Sequence, residues 1–402
     1  MVELLAPVRD MISLTAAIEA GADAVYFGVG HLNMRINSKG IDPKELRQAV
    51  KKAHDNGCKV YVTVNAIIYD EEIEEMHHLL DCIKEADADA IICWDPSVIR
   101  AAKQRRIPFH ISTQASISNK EALHFYEELG AERAVLAREL SLKQIESIKA
   151  ATQIEIEVFA HGAMCVSVSG RCFMSQFLHC RSANRGDCLQ PCRREYQVID
   201  KETGDALDLA NGFIMSPKDL CTLPLLPEII SAGVDVLKIE GRSRSPEYIK
   251  TVVSAYRRAL DAIASGSYDR HMADKLTAEV AKVYNRGFST GFLMGRPGPE
   301  SWTDAYGSKA TQRKEYVGKV LNYYKKAQAA YIEVLSNPIS VGDTIQIHGP
   351  TTGVVEMPIE ELRNEEGQKI RTADRTTATL PCASHVRPND AIFIIKDTNP
   401  HT

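Results

Sequence analysis

The chain has 402 residues, of which 44% are hydrophobic and 25% are charged, and its formal net charge is -5 at pH 7. This composition is typical of a globular protein and excludes a largely disordered chain, while the length predicts two domains. The acidic balance excludes a globally basic nucleic-acid-binding protein, so any RNA partner would need a local basic patch.

Targeting signals are not evident in the sequence. The first residues carry no basic stretch followed by a long apolar core, and no run approaches the roughly 18 apolar residues of a membrane-spanning helix. We therefore expect a soluble, cytoplasmic protein with no membrane partner. Cysteines are kept reduced in that compartment, so a cluster of them indicates metal binding or redox chemistry rather than disulfides.

Short apolar runs alternate with amphipathic helical patterns from the start of the chain, as in parallel βα units. Strands are predicted at 3–7, 24–28, 59–65, 90–94, 109–113, 133–137, 155–159 and 234–240. Helices are predicted at 42–53, 71–86, 96–104, 120–128, 142–151 and 246–264. Eight such repeats favour an α/β fold with a closed, TIM-like (β/α)8 barrel over an open sheet.

Two departures from this repeat define the domains. Residues 162–221, rich in Cys, Arg, Ser and Gly, interrupt the last repeat, and a long insertion after a barrel strand belongs on the catalytic face. Beyond residue 315, short strands at 316–321, 330–335, 344–348, 354–357 and 391–395 predict a small all-β barrel. We place the barrel domain at 1–300 and the C-terminal β domain at 310–402.

Six of the ten cysteines lie in the insertion: Cys165, Cys172, Cys180, Cys188, Cys192 and Cys221. Four converging thiolates can hold a zinc ion or an iron–sulfur cluster. The wide Cys165 to Cys172 spacing favours a 4Fe-4S cluster, with zinc as the alternative. Cys165, Cys172 and Cys188 are predicted ligands, and Cys192 and Cys221 compete for the fourth place.

Arginines share the insertion, at positions 171, 181, 185, 193 and 194. They predict a positive patch that either binds a phosphate or carboxylate or only offsets the charge of a cluster.

Polar residues near the ends of the predicted strands are candidates for substrate contact, since a barrel's catalytic face lies there. Asn65, Asp95, Gln114 and Glu139 are weaker candidates. Arg35 and Arg242 can bind a carboxylate or phosphate through two bonds, and His161 can donate a proton. Lys238 and Glu240 alternate with apolar residues, so both should point into the barrel. The predicted catalytic set is Arg35, His161, Glu240 and Arg242.

Several stretches resemble peptidase family U32, the collagenase-like peptidases. They read EVFAHGAMC at 157–165, GRCFMS at 170–175, RSANRGDCLQPCR at 181–193, SPKDLC at 216–221, KIEGR at 238–242 and YNRGF at 284–288. The likeness spans most of the barrel, and the β domain also resembles that of the family.

The resemblance implies a 4Fe-4S cluster and oxygen-independent hydroxylation, which family members support on tRNA uridine with prephenate, on ribosomal RNA cytidine or on ubiquinone precursors. The extra β domain favours the RNA branch, so we expect tRNA, a small carboxylate co-substrate and a protein partner of the same family. A peptidase, for which His161 and Cys165 would form a base and thiol, is the competing class. A cluster-bearing scaffold is a third.

Overall fold

A computed structural model describes residues 2–36, 40–207 and 212–398. Residues 1 and 37–39 of the predicted barrel domain, 208–211 of the predicted insertion and 399–402 of the predicted β domain lie outside the described residues.

In the described part of the first domain and its insertion there are twelve strands. They are β1 (Glu3–Pro7), β2 (Ala24–Gly28), β3 (Lys59–Thr63), β4 (Ala90–Cys93), β5 (Phe109–Ile111), β6 (Arg133–Val135), β7 (Glu155–Gly162), β8 (Val198–Ile199), β9 (Ala206–Leu207), β10 (Asp219–Cys221), β11 (Val236–Ile239) and β12 (Phe288–Ser289). Strands β1 to β7 pair in sequence order, and β11 pairs in parallel with both β1 and β7. Leu237 therefore lies between Leu4 and Val158, and the predicted closed eight-stranded barrel is confirmed.

The helices surround these strands. They are α1 (Met11–Glu19), α2 (Leu46–His54), α3 (Ile73–Glu85), α4 (Pro96–Arg105), α5 (Lys120–Glu128), α6 (Leu142–Lys149), α7 (Met174–His179), α8 (Leu226–Ser231), α9 (Pro246–Ala264) and α10 (Arg270–Val280). Asp95 begins α4 by accepting the Ser97 backbone N–H at 2.9 Å, with Pro96 in the first turn. Among the described residues, no helix combines the length and apolar character needed to cross a membrane.

Successive side chains of each barrel strand point to opposite faces of the sheet, which produces two apolar layers. Leu4, Val25 and Val60 face outward and belong to the large core beneath the helices. Their neighbours Leu5 and Tyr26 belong to a small core inside the barrel.

Charged side chains fill the rest of the interior. Arg133 is only 1% exposed and lies 2.7 Å from Glu3 and 3.5 Å from Glu157. On the other side of Glu157, the Lys238 ammonium lies 2.7 Å from its carboxylate. Sequence alternation predicted that Lys238 points inward, and this pair confirms it.

The second domain is built from one long strand, β13 (Gln312–Tyr324), and shorter strands. These are β14 (Ala329–Val334), β15 (Ile339–Ser340), β16 (Thr344–Gly349), β17 (Gly353–Pro358), β18 (Leu362–Arg363), β19 (Lys369–Ile370), β20 (Thr372–Ala373), β21 (Thr377–Pro381) and β22 (Ala391–Asp397). Eight of them form an antiparallel sheet in the order β17, β16, β22, β13, β14, β21, β18, β19. Its inward side chains, including Val317, Ile345 and Ile392, form a core of their own. The predicted separate all-β domain is confirmed.

The two domains contact each other along α1 and α9. The carbonyl of Pro350, in the turn between β16 and β17, accepts hydrogen bonds from Thr15 Oγ1 at 2.7 Å and Lys52 Nζ at 3.0 Å. Lys314 and Glu247 form an ion pair across the same interface at 2.7 Å.

Replacing Glu157 by Gln should lower the free energy of unfolding by about 3–5 kcal/mol, because Lys238 would lose the carboxylate that offsets its buried charge. Glu155→Gln is the matched control: this carboxylate also pairs with Arg133 but is 51% exposed, so its loss should cost about 1 kcal/mol or less. Urea unfolding followed by circular dichroism measures both variants, and equal losses would contradict the prediction.

Candidate functional site

A cavity of about 290 Å³ opens at the carboxyl ends of the barrel strands, beneath the insertion. The side chains that reach it come from loops following different strands. Those predicted from strand ends are Arg35, Asn65, Gln114, Glu139, Glu240 and Arg242. Asp95, by contrast, is the helix cap described above.

Glu240 lies at the centre of the charges around this cavity. Its carboxylate is 3.2 Å from Arg35 Nη2 and 3.8 Å from Arg138 Nη2. Burial would raise the pKa of Glu240, but Arg35, Arg138 and other nearby cations outweigh burial and hold that pKa at about 2. The carboxylate is therefore ionised throughout the physiological range and keeps both guanidinium groups in place.

Among the described residues, Arg242 forms hydrogen bonds only with neutral groups. It is 5% exposed, and its Nη1 donates to Thr63 Oγ1 at 2.7 Å and to Asn33 Oδ1 at 3.2 Å. Its Nε is buried without a hydrogen-bond partner in the described part of the chain. Burial lowers the pKa of Arg242 to about 10, so the group remains a cation that lacks a directly bonded carboxylate.

Four cysteine side chains line the same cavity: Cys165, Cys172, Cys188 and Cys192. The first three each accept a hydrogen bond from the backbone N–H two residues further along the chain, at 3.4, 3.3 and 3.4 Å. Such bonds stabilise thiolate charge and orient a metal ligand. Across the described ranges, no three Cys, His, Asp or Glu side chains converge closely enough to hold a single metal ion.

The structure does not bring Cys221 to the cavity. This residue ends β10, which pairs antiparallel with β7, and its side chain is 3% exposed within the core beneath the helices. Of the two residues that competed for the fourth ligand position, the structure therefore places only Cys192 beside the other three. Cys180, the cysteine of the insertion that is not among the predicted ligands, is an exposed residue at the end of α7.

His161 also departs from its predicted position. Between β7 and β11, Lys238 lies opposite Phe159 and Ile239 lies opposite His161, so Ala160 forms a bulge. The extra residue turns His161 to the helix side of the barrel, where its ring centroid lies 5.5 Å from that of Tyr256. Burial lowers its pKa to about 3. Its side chain therefore belongs to a neutral aromatic cluster and not to the catalytic face.

The predicted arginine patch is divided among several sites. Arg185 forms an ion pair with Glu72, Arg181 lies 3.4 Å from Asp187, and Arg171 donates to Ser116 Oγ at 2.9 Å. Arg193 lines the cavity, where its Nη1 donates to the Pro217 carbonyl at 3.1 Å. Sequence reasoning missed Arg138, although it directly precedes Glu139 and the strand-end rule applied to both.

Two glycines allow the insertion to pack against the barrel mouth. Gly162 has φ +108°, and a Cβ atom there would lie 2.4 Å from the Glu240 carbonyl. Gly186 has φ +87°, and its Cβ would lie 2.3 Å from the Asn33 carbonyl. A side chain at either position would displace the segments that carry the cysteines.

Comparisons with known proteins agree with this architecture. A model described as peptidase family U32 matches residues 9–303, and a model of the family's C-terminal domain matches residues 312–392. The chain is 42% identical to a protein named collagenase from Porphyromonas gingivalis, over 97% of each chain.

Two further relatives carry names that concern RNA. The tRNA hydroxylation protein P1 of Bacillus subtilis is 36% identical over 92% of this chain and 89% of its own length. A 23S rRNA 5-hydroxycytidine synthase of Escherichia coli is 34% identical over 86% of this chain and 52% of its own length.

Replacing Glu240 by Gln should lower the free energy of unfolding at pH 7 by roughly 3 kcal/mol, because a carboxylate with a pKa depressed from 4.5 to about 2 is lost. In the wild type this stabilisation is present above about pH 4.5 and disappears as the pH falls through about 2. The difference between wild type and variant should therefore narrow over that range in urea titrations at successive pH values.

Glu146→Gln, at an exposed position of α6, is the control and should leave stability near the wild-type value. If the difference in the free energy of unfolding between the wild type and Glu240→Gln stayed constant down to pH 2, the depressed pKa of Glu240 would not be the source of that stability.

Proposed function

Because the chain belongs to peptidase family U32, and because relatives aligned along most of its length are named for RNA hydroxylation, we propose that it is an RNA-modifying enzyme. We further propose that it hydroxylates a tRNA uridine without molecular oxygen, using a prephenate-like donor. Hydroxylation of a ribosomal RNA cytidine is the alternative substrate choice. The observation that carries the proposal is that one cavity is lined both by four cysteines and by a buried arginine, Arg242, that has no hydrogen-bonded carboxylate among the described residues.

The donor set fits a 4Fe-4S cluster held by Cys165, Cys172, Cys188 and Cys192. Each thiolate of such a cluster binds a different iron, so the sulfurs stand further apart than around one zinc ion, which suits thiols that do not converge on single-ion spacing. When bound, the cluster supplies one-electron transfer. The backbone N–H groups beside Cys165, Cys172 and Cys188 support the thiolates. Zinc stays the alternative.

Arg242 is the best-placed anchor for a small carboxylate. A guanidinium group forms charge-assisted hydrogen bonds with a carboxylate, and these are strong where water is excluded. Because Thr63 and Asn33 hold Nη1 in place, the side chain is already oriented when the ligand arrives. Glu240 acts as a positioning residue, since its carboxylate fixes Arg35 and Arg138.

Neutral polar groups on another part of the wall suit recognition of a base. Asn65 Nδ2 donates to Ser112 Oγ at 3.2 Å, and both residues line the cavity together with Gln114. Amide and hydroxyl groups can hydrogen-bond the edge of a base, and a base enters such a cavity only after leaving its stack. We therefore propose that Asn65 and Gln114 contact the substrate nucleotide.

Peptidase activity is the second candidate, favoured by the relative named collagenase. A cysteine peptidase needs a thiol with a base in hydrogen-bonding reach. The bulge in β7 turns His161 toward Tyr256, away from the cavity that Cys165 lines, so these two residues do not form that pair. Cleavage of peptides by the purified protein, abolished by Cys165→Ser, would favour this candidate.

Cys192→Ser should remove most of the bound iron and the absorbance near 400 nm from protein purified without oxygen, because one thiolate ligand is lost (the wavelength is approximate). Cys221→Ser makes the same chemical change at a core thiol and should retain both signals. Iron analysis and absorption spectra measure the result. Equal loss in the two variants, or an iron-free wild type, would contradict the cluster assignment.

Deleting the gene should remove one hydroxylated nucleoside from total RNA, as measured by mass spectrometry. The wild-type gene should restore it, and Arg242→Met should restore it at least about tenfold less well, because a buried charged hydrogen bond to the co-substrate is lost. Arg258→Met is the control, because Arg258 is an exposed arginine of α9 that pairs with Glu279 of α10. RNA that is unchanged by the deletion would end the proposal.

A further inference from the structure

The insertion exposes an unusual number of apolar side chains beside the cavity. They are Val166, Val168, Phe173, Phe177, Leu178 and Leu189. Phe177 is 81% exposed and Phe173 is 62% exposed. Clustered apolar exposure of this kind marks an interaction site rather than ordinary surface.

The two phenylalanines are arranged as a pair. Phe173 directly precedes α7 and Phe177 lies one turn further along, so both extend from one side of this short helix. Their rings stack with centroids 5.9 Å apart and planes inclined by 30°. Met174 and Ser175, on the same helix, line the cavity, as do Val166 and Val168. The aromatic pair is therefore carried by the same short helix as two residues of the cavity wall.

The segment that carries this pair is basic, although the whole chain carries a net charge of -5 and the insertion as a whole is balanced in charge. Residues 171–186 contain Arg171, Arg181 and Arg185 and no acidic residue. Arg171, Arg181 and Arg194 are exposed, and the ion pair of Arg181 with Asp187 is itself at the surface and therefore weak. Aromatic residues and arginines are also enriched at protein–protein interfaces, but the RNA substrate proposed for the adjoining cavity favours a single-stranded nucleic acid, which binds where aromatic rings and cations lie together.

We propose that Phe173 and Phe177 form a stacking surface for the RNA bases next to the nucleotide that enters the cavity. The exposed arginines contact the flanking phosphates. Because stacking is tolerant of base identity, this surface holds the strand open, and the cavity selects the base. The inference rests on the proposed function and specifies how the RNA strand lies on the same site.

The test compares the full-length wild type with the Phe173→Ala/Phe177→Ala double variant. Binding of unmodified tRNA from the deletion strain is measured by fluorescence anisotropy, and the hydroxylated nucleoside is measured by mass spectrometry. We expect the double variant to bind at least about tenfold more weakly, since each stacked base contributes substantially. Phe173→Tyr/Phe177→Tyr, which keeps both ring faces, should bind like the wild type.

Phe125→Ala is the matched control, because Phe125 is 57% exposed on α5 and also contacts a neighbouring aromatic ring, that of Tyr126. Iron content must match the wild type in every variant, since Phe173 adjoins Cys172. If the alanine double variant bound RNA as tightly as the wild type, the inference would be overturned and the proposed function would stand. If the variant lost an oligomeric state that the wild type forms, the surface would be a protein interface, and the inference would again be overturned. A wild type that neither binds nor modifies RNA would overturn the proposed function and the inference together.

Discussion

The carboxylate of Glu240 connects parts of the barrel mouth that are distant in sequence. Arg35 follows β2, Arg138 follows β6 and Glu240 follows β11, and the two guanidinium groups share one buried anion. Separate burial of each charge would cost several kcal/mol, so the three side chains stabilise one another only in this arrangement. The loops that surround the cavity are thereby held in one relative position. A deeper layer of the same kind, Lys238 with Glu157, supports the mouth from inside the barrel.

The insertion depends on that rigid mouth. Gly162 passes close to the Glu240 carbonyl, and Gly186 passes close to the Asn33 carbonyl, so the segments carrying Cys165 and Cys188 are set by backbone contact with the barrel. Arg185 adds an ion pair with Glu72 on the far side of the insertion. A long irregular loop can carry a defined ligand set only when its backbone is fixed at several points. The cysteines owe their common position to these contacts rather than to secondary structure of the insertion.

Sequence periodicity was sufficient for the barrel, because each strand is a short buried apolar run and several of the helices have capping signals, such as Asp95 with Pro96. It was also sufficient for Lys238, which lies in β11 and points into the barrel, and for Glu240, which directly follows that strand and lines the cavity. The sequence predictions were wrong where a single inserted residue, or a single partner distant in sequence, changed the position or the charge of a side chain. A single bulge at Ala160 reversed the direction of His161, and no propensity marks such a bulge. The side chain of Cys221 was withdrawn into the core by the pairing of β10 with β7, and Arg185 was neutralised by Glu72, both of which depend on contacts remote in sequence.

The arginines around the cavity divide into two groups by their surroundings, and this division bears on what they bind. The pKa of Arg35 is raised mainly by Glu240, and Cys188 and Cys165 raise it further. The pKa of Arg193 is lowered mainly by burial, while Cys192 and Cys165 act in the opposite direction and raise it. These guanidinium groups therefore lie close to the thiols and can offset the negative charge of a thiolate-bound cluster. The pKa of Arg242 is instead lowered chiefly by burial and also by Arg35, while Glu240 raises it, and the hydrogen-bond partners of Arg242 are neutral. Offsetting cluster charge thus accounts for the first group but leaves Arg242 unexplained. A buried cation without its own anion is costly, and it is retained where an anionic ligand completes it. That reasoning makes Arg242, rather than the more numerous arginines of the insertion, the residue on which carboxylate recognition depends.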